Sequence, residues 1–272
     1  MQVAVVGHVE WVEFLDVDAA PRPGRILHAE GSWEEPAGGG GVAAVELARL
    51  AGRSTLFTGL GDDRRGEAVP SALAPWGVDV RGVREEGPHR RATTLLDPDG
   101  ERTIVVVGPS QQGGPLDPAV LAPFDAVYFC KGDAAMLQAA RAARVLVATA
   151  RVLPIVREAG VRLDALVASA VDPAEAYAPG DLATSPDLVC ITEGAAGGRW
   201  SRGADAGRWS AAALPGPVAD AYGCGDSFAA GLTYALGSGL DVSAALELAA
   251  SRGALALTRP GAHGARGRPP GA

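Results

Sequence analysis

"DAYGCGDSFAAGL", Asp220 to Leu232, sets two glycines around a cysteine, follows them with a carboxylate and runs straight into an apolar segment. Phe228, Leu232 and Leu236 recur at helical spacing and Gly237 to Gly239 close the run, so the stretch reads as a glycine turn opening a helix. Glycines let a backbone come close to a ligand, and the first turn of a helix offers unpaired N–H groups at the positive end of its dipole. Gly223, Cys224, Gly225 and Asp226 thus form a candidate anion hole, and Asp226 a candidate base for a hydroxyl held beside the anion. A transferring phosphoryl group needs both parts. Taken alone, a GxGD stretch is more simply a turn whose aspartate caps the helix.

Working outward, β-rich runs alternate with Ala/Leu-rich helical segments: "QVAVVG", "AAVELARLAG", "STLFTGLG", "AVYFC", "VLVAT", "ALVAS", "LVCITEG", then two long helices from about Ser227. Parallel strands with helical crossovers have this rhythm, which gives an α/β class: a three-layer α/β/α, doubly wound, Rossmann-like sandwich. Two segments break it, about residues 9–34 and 90–108. The second, "RRATTLLDPDGERTIVVVG", is a hairpin around a DPDG turn. Together they predict a small β-sheet standing off the sandwich as a lid, within one domain spanning residues 1–272. The tail "ARGRPPGA" has no periodicity and reads as loose.

At 272 residues and 47% hydrophobic, the chain is globular. The first residues lack a basic leader, and their apolar run is broken at His8 and Glu10, which predicts neither signal peptide nor membrane span and hence a cytoplasmic address. Cys130, Cys190 and Cys224 show no metal or disulfide spacing. A net charge of −8 with scattered arginines and a single lysine, Lys131, argues against a nucleic-acid surface.

The anion turn, together with segments elsewhere, resembles the ribokinase-like (PfkB-type) carbohydrate kinases. "DAYGCGDSF" is similar to their D-T-x-G-A-G-D-x-F signature at Asp220, Gly223, Gly225, Asp226 and Phe228. "GGGGVAAVELARLAG", "GLGDDRRG", "DPDGERT", "ITEGAAGG" and "TRPGA" resemble further motifs of the family, in the family's order. The resemblance implies a ribokinase-like fold and transfer of the γ-phosphoryl of ATP to a hydroxyl of a sugar, a sugar-like polyol or a nucleoside. It makes Asp226 the base and the amides of Gly223 to Asp226 the anion hole. Thr192, Gly194 and Gly197 become nucleotide contacts.

"VASAVDPAEAY" occupies the place of the family's N-x-x-E magnesium motif, with Ser169 and Asp172, or else Asp172 and Glu175, on its positions. In either register Asp172 offers Mg²⁺ an oxygen ligand. The family also holds a monovalent cation such as K⁺ near Asp220 and the "TRPGA" end; here Ala221 replaces the usual threonine. On the substrate side, Val12 stands where the family has an aspartate, Glu10 where ribokinases carry asparagine, and Ala43 where asparagine is usual. Gly38, Gly39 and Gly40 remain able to present backbone donors to a hydroxyl. In a strand Glu10 and Val12 share one face and Trp11 the other, so Glu10 in the pocket excludes Trp11 from it. His8 follows the first strand, near where a pocket mouth would lie, and His263 follows "TRPGA"; neither is given a role.

Cys224 replaces an alanine and reads first as a small residue that fits; the alternative is a thiol whose pKa is lowered by the helix N-terminus. Two other readings compete. A fold-retaining ligand-binding or regulatory protein is suggested by Val12, Ala43, Ala221 and Ser169, though a pure binder needs no base at the anion hole. A dinucleotide oxidoreductase is disfavoured, because "VVGHVEW" lacks GxGxxG. The free edge of a lid sheet also makes a homodimer through the lid an expectation.

Overall fold

The computed structural model describes residues 1–267; the last part of the tail, residues 268–272, lies outside the described residues. Strands β1 (Val3–Val6), β4 (Ser54–Gly61), β5 (Val78–Glu85), β8 (Ala126–Phe129), β9 (Val145–Thr149), β10 (Ala165–Ser169) and β11 (Leu188–Thr192) run parallel. They are joined at one edge by an antiparallel hairpin of β12 (Gly198–Arg202) and β13 (Asp205–Trp209). The order across this nine-stranded sheet is β13-β12-β11-β10-β9-β8-β1-β4-β5.

Successive side chains of a strand point to opposite faces, and the two cores divide accordingly. Val3 and Val5 of β1 join a core with α1 (Gly38–Ala51), α2 (Arg64–Leu73), α6 (Cys224–Gly237) and α7 (Val242–Leu257). Ala4 and Val6 join the opposite core with α3 (Pro118–Leu121), α4 (Ala134–Ala140) and α5 (Leu153–Ala159). The chain is thus the expected three-layer α/β/α sandwich. Among the described residues no helix is long and apolar enough to cross a membrane.

A second sheet of order β3-β2-β6-β7 comprises β2 (Glu10–Val17), β3 (Ala29–Ala37), β6 (Arg91–Leu96) and β7 (Arg102–Val107). It is the small sheet read at about residues 9–34 and 90–108, with β3 running on to Ala37 and directly into α1. The DPDG turn closes as a turn should. Asp97 Oδ1 accepts from the N–H groups of Asp99 and Glu101, and Gly100 takes the left-handed φ of 79°. The sheet packs on the sandwich through Val12, Phe14, Ala37, Val42, Ala92, Leu96 and Tyr222.

Apart from α5, which starts at Leu153 without a side-chain cap, the helix starts fall into two groups. Aspartates cap α2 (Asp63), α3 (Asp117), α4 (Asp133) and α7 (Asp241), each accepting from first-turn N–H groups; such a cap contributes about 1 kcal/mol. α1 and α6 instead begin on glycine-rich turns with no side-chain cap. Those two open ends meet at the cleft between the sheets.

Candidate active site

At the start of α6, Gly223 has φ of 69°, and a Cβ there would lie 2.8 Å from Val42 Cγ1, so both backbone and packing require glycine. Gly225 faces open space: nothing lies within 4 Å of where its Cβ would be. The turn therefore presents bare amides to the cleft, an arrangement suited to an anion. At Cys224 the structure favours the reading as a small packed residue over the reactive alternative. Burial pushes its thiol pKa up, against the pull of Arg102, so it is not the activated thiolate that its helix position suggested.

Asp226 lies in the first turn of α6 with its carboxylate against α1: a Cβ on Gly39 would fall 2.8 Å from Asp226 Oδ1. Part of its surface stays open to the cleft, yet the protein around it disfavours the charged form. Its pKa rises from 3.8 to about 7, through burial first and then the negative charge of Glu175, opposed by Arg151, Arg102 and a hydrogen bond with Tyr128. A free aspartate is a weak base at neutral pH; the fold makes this one a stronger base.

The glycines of α1 are drawn inward more than expected. Gly38 N–H donates to the Tyr222 hydroxyl (3.1 Å) and Gly39 N–H to His8 Nε2 (3.3 Å), so two of the three expected donors are already used within the protein. Gly40 packs on the His8 backbone, where a Cβ would lie 2.5 Å from the carbonyl oxygen.

Glu10 lies beside the start of α1, its Cγ 3.2 Å from where a Cβ on Gly38 would be, and its partner is Arg90, with Nε 2.7 Å from Oε1. Burial raises the Glu10 pKa while Arg90 pulls it down. His8 is held neutral, its pKa lowered to about 4 by burial and by the charges of Arg90, Lys131 and Arg151. The pairing of Val6 with Phe129 carries His8 and Lys131 past the sheet edge side by side. Trp11 turns away and donates to Glu34 (2.7 Å).

Val12 and Ala43 correct the reading of the substrate pocket. Both are fully enclosed, Val12 in the apolar core under the small sheet and Ala43 in the main core. Lacking the polar groups of their counterparts, they are absorbed into packing and offer no surface to a ligand.

In the segment expected to border a nucleotide, Thr192 ends β11 and its hydroxyl donates to Ala168 O (3.2 Å). Gly194 (φ 60°) is open, whereas a Cβ on Gly197 would collide with Trp209 O. Glu193, just before Gly194, pairs with Arg199 and Arg208 across the β12–β13 hairpin. Ser169 Oγ accepts from the N–H groups of Val171 (3.2 Å) and Asp172 (3.1 Å). Asp220 accepts from Tyr222 N–H and Gly261 N–H, tying the two segments expected to flank a monovalent cation. Arg102, at the start of β7, reaches from the small sheet to donate to Ala221 O (2.9 Å), latching that sheet over the anion turn.

The chain matches the pfkB family carbohydrate kinase profile over residues 1–163 and 159–266, nearly its whole length. It belongs to the pfkB family of carbohydrate kinases. It is 28% identical over 110 residues to a ribokinase of Dictyostelium discoideum, covering 40% of this chain and 35% of that protein. It is 34% identical over 110 residues to an ATP-dependent ribose-1-phosphate kinase of Halopiger xanaduensis, covering 39% and 36%. The matched stretch thus spans about a third of the length of these curated relatives. In fold it is similar to a ribokinase from Thermotoga maritima, with a TM-score of 0.78, 20% identity and coverage of 97% of this chain and 95% of that one.

This pfkB-family chain departs from its expected magnesium arrangement. Asp172 Oδ2 lies 2.6 Å from Arg151 Nη2, and Glu175 Oε1 lies 2.7 Å from the same nitrogen. Asp172 Oδ1 accepts from Ala174 N–H. Among the described residues no group of three His, Cys, Asp or Glu side chains could hold a metal. As arranged, these carboxylates do not fit a metal bound directly by the protein.

Sequence reasoning also missed Arg90, Arg102, Tyr128, Lys131, Arg151 and Tyr222. Two of them sit in the short motifs that carried the resemblance, Arg102 in "DPDGERT" and Tyr222 in "DAYGCGDSF", but at positions the motifs do not specify. Lys131 and Arg151 follow β8 and β9, at the edge where open α/β sheets bind ligands, whereas Tyr128 lies within β8 and Arg90 directly precedes β6 of the small sheet.

Proposed function

We propose that the chain is a phosphotransferase that moves the γ-phosphoryl of ATP to a hydroxyl of a sugar or sugar-like polyol. The observation that carries this reading is the carboxylate of Asp226, with a pKa near 7, set beside bare helix-start amides and within the field of Arg102 and Arg151. Asp226 takes the hydroxyl proton as the O–P bond forms, the amides of Gly223 to Asp226 hold the developing charge on the transferring group, and the latched small sheet keeps water out. Thr192, Gly194 and Gly197 border the nucleotide. Magnesium enters on this reading with the incoming nucleotide, as its phosphate-bound counterion. The named activities of the matched ribokinase and ribose-1-phosphate kinase support a pentose-sized acceptor.

Glu10 and Arg90 form the sugar end of the cleft, where the closed Val12 and Ala43 leave hydroxyl recognition to this ion pair. A nucleoside acceptor is the alternative within the same fold. The enclosure of Val12 and Ala43 also favours a second reading, a ligand-binding or regulatory protein without turnover. ADP release measured across sugars, sugar phosphates and nucleosides, beside thermal shift with the same compounds, tests these readings. Turnover with one sugar class is expected; ligand-dependent stabilisation with no ADP released from any acceptor would replace the kinase by the binder.

We propose a homodimer through the small sheet as well. Its outer strand β7 is an unpaired edge on which Ile104, Val105, Val106 and Val107 are each at least 41% exposed.

A further inference from the structure

We infer that Arg151 takes the place a divalent cation would take on Asp172 and Glu175 and presents its guanidinium to the polyphosphate of a bound nucleotide. The phosphate-facing part rests on the kinase reading above. Arg151 follows β9, and the two carboxylates follow β10, its parallel neighbour, so all three side chains leave the same edge of the sheet. Nη2 reaches Asp172 (2.6 Å) and Glu175 (2.7 Å), and Nε reaches Glu175 again (3.0 Å). A hard cation seeking those oxygens must break a set of charge-assisted hydrogen bonds that already satisfies them.

The described hydrogen bonds of the guanidinium use Nε and Nη2 only, which leaves the two Nη1 protons for another acceptor. The side chain is 50% exposed, which leaves it accessible to a ligand. It also lies within electrostatic reach of Asp226, Tyr128 and His8. Arg102 acts on Asp226 as well, so the cleft beside Asp226 carries two guanidiniums. A planar, permanently charged fork matches phosphate oxygens without needing a metal to bridge them.

Mn²⁺ titrated into nucleotide-free protein and followed by electron paramagnetic resonance tests the claim on the carboxylates. Wild type is expected to bind weakly, Arg151→Gln to bind at least roughly tenfold more tightly because both carboxylates are freed, and Arg151→Gln/Asp172→Asn to lose that gain. Equal Mn²⁺ affinity in wild type and Arg151→Gln overturns the inference.

Calorimetric ADP binding in excess chelator tests the phosphate-facing edge. Wild type should retain measurable affinity, Arg151→Gln should lose roughly tenfold or more, and Arg151→Lys should fall between. Unchanged ADP affinity in Arg151→Gln overturns that part. ADP binding by wild type neither with nor without Mg²⁺ overturns both that part and the kinase reading, and the Mn²⁺ titration still decides the carboxylate claim independently.

Discussion

Asp226 is the residue on which function and stability pull in opposite directions. An acid whose folded pKa lies above its unfolded value keeps its proton longer in the folded state. Folded stability is therefore fully present below the ordinary carboxylate range and is lost as pH rises through about 7. Asp226→Asn removes that loss. At pH 8 the variant should unfold about 1–2 kcal/mol later than wild type, and at pH 4 the difference should vanish, as denaturant titrations at the two pH values would show.

The catalytic consequence has the opposite sign, since the base must be ionised to accept a proton. Turnover should fall as pH drops below about 7. A flat profile between pH 5.5 and 8 would remove Asp226 from the proton transfer.

Arg90 carries the second residue-scale prediction. Arg90→Ala strands the buried Glu10, which should raise the acceptor KM and cost roughly 1–3 kcal/mol of stability. Adding Glu10→Gln should restore most of the stability but not the KM. A single variant with wild-type KM would exclude the pair from acceptor binding.

At the scale of elements, glycine geometry decides what the glycine-rich starts of α1 and α6 can do. Gly223→Ala meets both a φ of 69° and Val42 at 2.8 Å, so it should destabilise the protein by about 1–3 kcal/mol and weaken ADP binding together. Gly225→Ala, with open space before it, should leave stability near wild type. Equal melting temperatures for the two alanine variants would contradict this account of the turn.

Much of this level was legible from the chain. The GCGD turn, the alternation of strands and helices and the DPDG hairpin are local patterns, and local patterns survive in a linear reading. The β12–β13 hairpin was not legible, because "GRWSR" and "DAGRW" are short, charged and held by pairing with β11 and with each other. The partnership of Arg151 with Asp172 and Glu175 was hidden for a different reason. Its members stand 21 and 24 positions apart and meet only because parallel strands end together. Val12 and Ala43 were misread as pocket residues because a motif position marks a backbone site, while burial of an apolar side chain is settled by its neighbours.

For the whole molecule, the exposed β7 edge and the cleft are coupled through Arg102, which begins that strand and latches onto Ala221. Val105→Lys, placed on the most exposed residue of the edge, should shift the protein toward a monomer in light scattering without changing the melting temperature of the folded chain. An unchanged mass would place any dimer elsewhere.

The central claim is phosphoryl transfer with Asp226 as base. Its most direct test follows the label of γ-³²P-ATP onto a pool of sugars at pH 8, wild type beside Asp226→Asn, with ADP affinity measured for both. Labelled sugar phosphate from wild type, at least about a hundredfold less from the variant, and matching ADP affinities are the predicted result. Equal transfer by the two proteins, or none by either while ADP and a sugar both bind, would contradict it.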